Sequence, residues 1–279
     1  MQLRSAEWIN LVAFPCFALL ALTRRDLSAA QRRTIVAIGA AGIAITLIVS
    51  LVVPNLTSLR AAVIIRDWIP LLLLPLFYWQ GGQFVIREDV DFENKLERLD
   101  ARLVAPVFDR CLRSPLRDWI FIYLEIGYLS YYLVLPLSLA ALHIAGKDRG
   151  AGLFWTVVLL AAYGSCATLP FLNTRPPRVL GEKWSTDLPQ SKVRAFNLWV
   201  LRQGSIQANT CPSAHVAIGA ACALVLWRLA PLWVGLVFLW LAVTIALGAV
   251  GGRYHYALDA ALGGASAVAA FLIGIALAG

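Results

Sequence analysis

The sequence predicts an all-α protein that crosses a membrane several times. Of its 279 residues, 60% are hydrophobic and 14% are charged, whereas soluble domains have about 45–50% apolar and about 25% charged residues. The mean hydropathy is +0.73, and the chain contains ten tryptophans. The apolar residues form runs of about 20, the length that a helix needs to cross a bilayer. We therefore expect a polytopic membrane bundle of about eight transmembrane helices.

The eight apolar runs differ in strength. The first is short, and the third is the weakest because it starts after Arg66 and Asp67 and contains Pro70, Pro75 and Gln80. The predicted spans cover residues 7–22, 34–53, 68–86, 119–143, 151–172, 212–229, 231–250 and 256–278.

Two long connections join these spans. Residues 173–211 form the predicted active-site loop, because long loops often carry function. Residues 87–117 are charged and are predicted to form an amphipathic helix in the membrane interface. The apolar residues of that segment recur at helical spacing, at Phe92, Leu96, Leu99 and Leu103.

The order of the spans places three polar segments together. Spans six and seven are joined by a tight hairpin at residues 228–231. The segment before span six must therefore lie on the same side of the membrane as the segment after span seven. The segments that share this face are residues 175–178, 211–215 and 253–259. We call it the catalytic face, because the candidate catalytic residues considered next lie in these segments.

The formal charge of +8 does not predict nucleic-acid binding. Arginine-rich loops beside apolar spans more often meet anionic lipid headgroups or set the topology. The catalytic face carries 18 of the 24 lysines and arginines, which by the positive-inside rule would make it cytoplasmic. The five cysteines have no CxxC spacing and are interpreted as small hydrophobic residues, not as disulfides or metal ligands.

The segment GGRYHYALDAALGG at residues 251–264 places charged groups beside the last span. A charge in hydrocarbon costs several kcal/mol. His255 and Asp259 are spaced i, i+4, which on a helix puts them on one face. The carboxylate would then fix the histidine tautomer and leave the other ring nitrogen free as a nucleophile. A structural polar pair between packed helices is the alternative.

The segment Pro212-Ser213-Ala214-His215 is predicted to open span six, with Pro212 in the first helical turn. Free backbone N–H groups and the Ser213 hydroxyl would attract an anion there, and His215 could protonate a leaving oxygen. An ordinary N-cap with an interfacial histidine is the alternative.

Basic side chains near these histidines are candidate phosphate ligands, because guanidinium groups match phosphate oxygens. The alternative is that the arginines only reach toward the membrane interface. The candidates are Arg175, Arg178 and Arg253.

Together these groups favour phosphoryl transfer without a metal or cofactor. His255 would attack phosphorus, Asp259 would orient it, and His215 would protonate the departing alkoxide. An alcohol in place of water would make the same site a transferase. Two non-enzymatic hypotheses stay open: His215 and His255 as axial ligands of a haem, or a transporter with intramembrane charges.

These residues resemble the type 2 phosphatidic acid phosphatase (PAP2) superfamily, whose motifs are KxxxxxxRP, PSGH and SRxxxxxHxxxD. Arg175-Pro176 matches the end of the first motif, Pro212, Ser213 and His215 match the second, and His255 and Asp259 match the third. The lysine, glycine and arginine of these motifs are replaced by Thr168, Ala214 and Ala249. The resemblance therefore implies that another basic residue contacts the phosphate in place of the missing lysine and arginine, and the candidates are Arg178, Lys183 and Arg253. The pattern is more similar to the branch that contains inositol phosphorylceramide synthase-like proteins.

The resemblance implies a six-helix catalytic domain at residues 61–279, preceded by two additional transmembrane helices at residues 1–60. It implies a lipid phosphatase that forms a phosphohistidine at the membrane interface, or a lipid headgroup phosphotransferase. The expected partners are a lipid phosphate substrate and membrane lipids, and no nucleic acid. We expect a multi-pass protein of the cell (inner) membrane. That family usually has its active site on the outer side, whereas the charge count favours the cytoplasmic side, so both sides stay open.

Overall fold

The structure is a computed structural model that describes residues 2–180 and 188–278. Within those ranges the chain is helical, with no named β-strand. Twelve helices are described there: α1 (Ser5–Thr23), α2 (Ala29–Leu56), α3 (Leu59–Gly82), α4 (Val90–Leu103), α5 (Ala105–Leu112), α6 (Arg117–Leu129), α7 (Tyr131–Ile144), α8 (Ala151–Cys166), α9 (Lys192–Gly204), α10 (Ala214–Leu229), α11 (Leu232–Gly251) and α12 (Ala257–Ala278).

The helices confirm a polytopic membrane bundle. Five of those described, α1, α2, α3, α11 and α12, are long and apolar enough to cross a membrane, and α6 with α7 makes a sixth if this pair, bent by 55°, is one span. The other two predicted spans contain α8 and α10, which have 16 residues each. Helix α10 lies at the centre, packed against α7, α8, α11 and α12, so its environment is largely protein.

The prediction that the third span starts after Arg66 and Asp67 was wrong. Helix α3 begins at Leu59 and contains both residues, which are buried. The Arg66 guanidinium donates to the two oxygens of Glu7 at 2.6 Å each, and Arg4 pairs with Asp67. Partners in and beside α1 thus compensate charges that an isolated span could not bury.

The C-terminal end of α6 lies against α11 through glycines. A Cβ atom at Gly248 would lie 2.3 Å from the Leu124 carbonyl oxygen and 2.7 Å from the Tyr128 nitrogen, and one at Gly127 would lie 2.7 Å from the Thr244 carbonyl oxygen. Small residues allow backbones to approach in this way. The contact places Tyr128 beside the segment that follows α11.

The amphipathic segment predicted at residues 87–117 contains α4 and α5, but the buried face of α4 is not the apolar stripe. Leu96 is buried, whereas Leu103 is 61% exposed. Glu93 and Asp100 share the buried face with Leu96. Helix α4 therefore presents two carboxylates to the loops of the catalytic face.

Candidate active site

Both candidate histidines line one cavity of about 320 Å³. Its wall near the histidines contains Arg178 and a group of tyrosines, and its remainder is mainly apolar. Among its lining residues in the described part of the chain there is no carboxylate. The tyrosines that line it are Tyr78, Tyr128, Tyr131, Tyr132, Tyr163 and Tyr254.

The structure brings the two imidazoles together. Nε2 of His255 lies 3.3 Å from Nδ1 of His215, within hydrogen-bond distance, and the ring centroids are 5.3 Å apart. The rings come from different elements, since His215 is the second residue of α10 and His255 precedes α12. A phosphoryl group between these nitrogens requires the rings to move apart.

Asp259 lies beside His255, but the two do not share a helix as the spacing predicted. Helix α12 begins at Ala257, so His255 is in the connection before it and Asp259 is in its first turn. The backbone turns here because the Tyr256 N–H donates to Oδ2 of Asp259 at 3.0 Å. Oδ2 of Asp259 is 3.8 Å from Nδ1 of His255, which is close but beyond hydrogen-bond distance.

Asn209, which the sequence reasoning missed, holds the same carboxylate. Its amide nitrogen donates to Oδ2 of Asp259 at 2.7 Å and to Oγ1 of Thr174 at 3.1 Å. An isolated β-bridge between Thr174 and Asn209 fixes the backbone at this point. The only sequence signal was a polar residue shortly before Pro212.

Ser213 caps α10 and does not line the cavity. Its hydroxyl accepts from the Val216 N–H at 3.4 Å, and its own N–H donates to the Asp259 carbonyl at 2.9 Å. Helix α10 begins at Ala214, so the placement of Pro212 in its first turn was wrong. A Cβ atom at Gly263 would lie 2.6 Å from the Ser213 carbonyl oxygen, so this glycine allows α12 to approach the start of α10.

Two of the candidate arginines are paired with the carboxylates of α4. Arg175 donates to Glu93 from NH2 at 2.8 Å and from its backbone nitrogen at 2.6 Å. Arg253 is fully buried and donates from NH1 to Asp100 at 2.8 Å. Neither guanidinium lines the cavity.

Arg178 does line the cavity. Its guanidinium carbon lies 5.8 Å from the centroid of the Tyr254 ring, and its backbone N–H donates to the Arg253 carbonyl at 2.9 Å. Burial lowers the pKa of Arg178 from its ordinary value. An arginine nevertheless stays charged in proteins, so it supplies a cation beside the histidines. Lys183 lies outside the described residues.

Tyr128 contacts the ring nitrogen of His215 that does not face His255. Its hydroxyl lies 3.2 Å from Nε2 of His215, and its ring is stacked on Tyr254 with the centroids 3.9 Å apart. The Tyr254 hydroxyl donates to Oε2 of Glu125 at 2.5 Å. Arg194 donates to the other oxygen of Glu125 at 2.6 Å, so a buried ion pair fixes this tyrosine stack.

Comparison with known proteins gives one match. A family model described as the PAP2 superfamily matches residues 96–273. The matched range contains both histidines, Asp259, Asn209 and Tyr128. No curated protein and no solved structure matches the chain.

Proposed function

Because the chain belongs to the PAP2 superfamily, we propose that it is a metal-independent phosphatase that hydrolyses a lipid phosphate or pyrophosphate through a phosphohistidine. Membership supports a phosphatase-type function on lipid phosphates in general. The observation that carries the finer proposal is the approach of His255 Nε2 to His215 Nδ1, 3.3 Å apart, on the wall of a largely apolar cavity.

In the first step of this mechanism, His255 Nε2 attacks phosphorus while Asp259 stabilises the positive charge that develops on the ring. The bond from phosphorus to the lipid oxygen breaks, its electron pair stays on that oxygen, and the proton on His215 Nδ1 neutralises the departing alkoxide. Arg178 lies where it can stabilise charge on the non-bridging oxygens.

In the second step, His215 Nδ1 takes a proton from water as the water oxygen attacks phosphorus. The P–N bond breaks, and its electron pair returns to His255 Nε2. Phosphate leaves, and both histidines are restored to their starting protonation states. A lipid alcohol that replaced water would be phosphorylated by the same steps.

The cavity supports a lipid substrate. Beyond the histidines its wall is formed mainly by apolar residues, which suits an acyl or isoprenyl tail. Its apolar lining includes Leu71, Leu74, Pro75, Leu135, Pro136 and Ile218.

The geometry favours neither non-enzymatic hypothesis. A haem with two histidine ligands would leave Asp259, 3.8 Å from His255, and the Arg178 guanidinium on the cavity wall without a role. A transporter binds its cargo near the bilayer midplane, whereas His215 and Asp259 lie in the first turns of their helices.

The test is phosphate release by the purified protein from a panel of lipid phosphates and pyrophosphates, with and without a lipid alcohol. We expect free phosphate from at least one substrate, loss of turnover in His255→Ala, and an acid-labile phosphoryl label on the wild-type protein. His143→Ala is the matched control, because that histidine pairs with Asp148 at 2.6 Å outside the cavity. Full turnover in His255→Ala would end the covalent mechanism, and transfer to the alcohol without phosphate release would make the enzyme a phosphotransferase.

A further inference from the structure

We propose that Tyr128 is the positioning residue of the acid–base histidine: its hydroxyl accepts the Nε2–H of His215, so that Nδ1 is the nitrogen that gives and takes the proton. This inference rests on the proposed function and deepens it. Tyr128 lies outside the motifs that carry the family resemblance.

The contacts of His215 assign one role to each ring nitrogen. Nδ1 faces His255 at 3.3 Å, and Nε2 faces the Tyr128 hydroxyl at 3.2 Å. Nδ1 therefore points to the place where the P–O bond breaks, and Nε2 points away from it. A histidine that has given up one proton keeps the other, and that proton must then lie on Nε2. The phenolic oxygen is the acceptor that meets it.

The position of Tyr128 is fixed from both sides. Its ring lies between Tyr254 and His215, with centroid distances of 3.9 Å and 5.1 Å. Tyr254 is itself held by its hydrogen bond to Glu125. Tyr128 is buried, so the hydroxyl has little freedom to leave His215. The proton of this hydroxyl is free to point into the cavity that Tyr128 lines.

The same arrangement accounts for the resting contact between the histidines. If His215 carries protons on both nitrogens, Nε2–H donates to Tyr128 and Nδ1–H donates to the lone pair of His255 Nε2. The proton on His255 Nδ1 then faces Asp259. Every ring nitrogen has one role, and the nucleophilic lone pair is held next to the acid that will assist its attack.

Tyr131 provides a matched control. Its ring also packs on His215, with the centroids 4.2 Å apart, but no hydrogen bond joins its hydroxyl to that histidine. Tyr128→Phe and Tyr131→Phe therefore remove the same atom from two rings that contact the same imidazole. Only the first variant removes a hydrogen bond to it.

The kinetic test compares a long-chain alkyl phosphate, which has a poor leaving group, with 4-nitrophenyl phosphate, which has a good one. The quantity compared is the rate of phosphohistidine formation in a single turnover. In Tyr128→Phe we expect this rate with the alkyl phosphate to fall about 10- to 100-fold, the effect of losing a hydrogen bond to a charged group. With the aryl phosphate, formation of the phosphohistidine needs little help from an acid, so we expect its rate to change less than about threefold. Tyr131 also lines the cavity, so any effect of Tyr131→Phe should be the same for both substrates, without the dependence on the leaving group that we expect for Tyr128→Phe.

A spectroscopic test locates the proton of His215 directly, in the wild-type protein and in Tyr128→Phe. The chain has three histidines, so single substitutions can assign their ring ¹⁵N signals. In the wild-type protein we expect a proton on Nε2 of His215 in both its neutral and cationic forms, and in Tyr128→Phe a mixture of the two neutral tautomers.

Three results would overturn the inference. A wild-type neutral His215 with its proton on Nδ1 removes the proposed role, and equal slowing of phosphohistidine formation from both substrates in Tyr128→Phe indicates a structural role alone. Neither of these two results contradicts the proposed function, provided that His255→Ala is inactive. Full activity of His255→Ala instead overturns the proposed function and this inference with it.

Discussion

Asp100 holds Arg253 from a helix more than 150 positions away in sequence: Oδ2 accepts from NH1 of Arg253 at 2.8 Å. The other oxygen, Oδ1, accepts from the backbone N–H of Ala257 at 3.0 Å. Ala257 is the first residue of α12, and Arg253 lies two residues before His255. One carboxylate of α4 thus fixes the connection that carries the proposed nucleophile and the start of the helix that carries Asp259.

We expect Asp100→Asn to destabilise the protein, because it removes the negative charge that accepts from NH1 of the buried Arg253 guanidinium. Breaking a buried ion pair costs about 3–5 kcal/mol, which for a chain of this size lowers Tm by about 10 °C. Thermal unfolding in detergent measures the change. Asp109→Asn, at an exposed position of α5, is the control and should leave Tm unchanged. An unchanged Tm in Asp100→Asn would show that the pair contributes no stability.

Arg253 has a backbone φ of +62°, a conformation that is unfavourable for residues other than glycine. The Asp100 contact and the hydrogen bond from the Arg178 N–H to the Arg253 carbonyl hold it there. We expect Arg253→Gly to retain more activity than Arg253→Ala, because glycine adopts this φ without strain. The measurement is kcat/KM of both variants. Greater activity in the alanine variant would show that the backbone conformation is not what Arg253 contributes.

Asn209 should matter for catalysis through Asp259 alone. Its amide is a hydrogen-bond donor to that buried carboxylate, and such bonds contribute about 1.5–3 kcal/mol. We therefore expect Asn209→Ala to lower kcat about 10- to 100-fold, with a smaller effect on KM. Asn94→Ala, on the exposed face of α4, is the matched control. If Asn209→Ala kept the wild-type kcat, Asp259 would not need this partner.

The two arginines of the RPPR segment should behave differently. Arg178 lines the cavity, whereas Arg175 is paired with Glu93 and is turned away from it. We expect Arg178→Gln to lower kcat/KM about 100-fold or more, as loss of a donor to the transition state does. Arg175→Gln should act mainly on stability, seen as a lower Tm. A larger loss of kcat/KM in Arg175→Gln than in Arg178→Gln would reverse this assignment of the phosphate contact.

Much of this arrangement could be predicted because its signals are local. Apolar runs indicate the helices, and the hairpin between α10 and α11 requires His215 and His255 to lie on one face. Proximity along the chain also placed Asp259 near His255. The two are not on one helix, however, because α12 begins at Ala257, after His255. The correct expectation came from connectivity more than from helical periodicity.

The residues that contact the site from distant parts of the chain had no such local signal in the sequence. Glu93 and Asp100 lie on an amphipathic helix, where an acidic residue is usually on the solvated face. Tyr128 was one aromatic residue among many in an apolar span. Their roles depend on which faces of α4 and α6 meet the loops of the catalytic side, and packing between distant segments decides that.

The side of the membrane that carries the site is a separate prediction. The arginine-rich segment 23–33 favours a cytoplasmic catalytic face, but Arg24 also has structural partners, since it pairs with Asp26 and donates to the Pro170 carbonyl. The Arg24 guanidinium accordingly holds the pKa of Asp26 down, at about 2. The charge of Arg24 therefore has a structural explanation that does not depend on topology.

We expect the outer location that is usual in the superfamily, although Arg25, Arg32 and Arg33 of the same segment favour the cytoplasmic side. A reporter that is active only outside the cytoplasm should be silent when fused after Arg149, on the opposite face, and active when fused after Pro115, on the catalytic face. The pair of fusions controls for expression, because the two reporters lie on opposite sides of the same bundle. Activity after Arg149 with silence after Pro115 would place the histidines in the cytoplasm, and the lipid phosphate would then have to reach them from the inner leaflet.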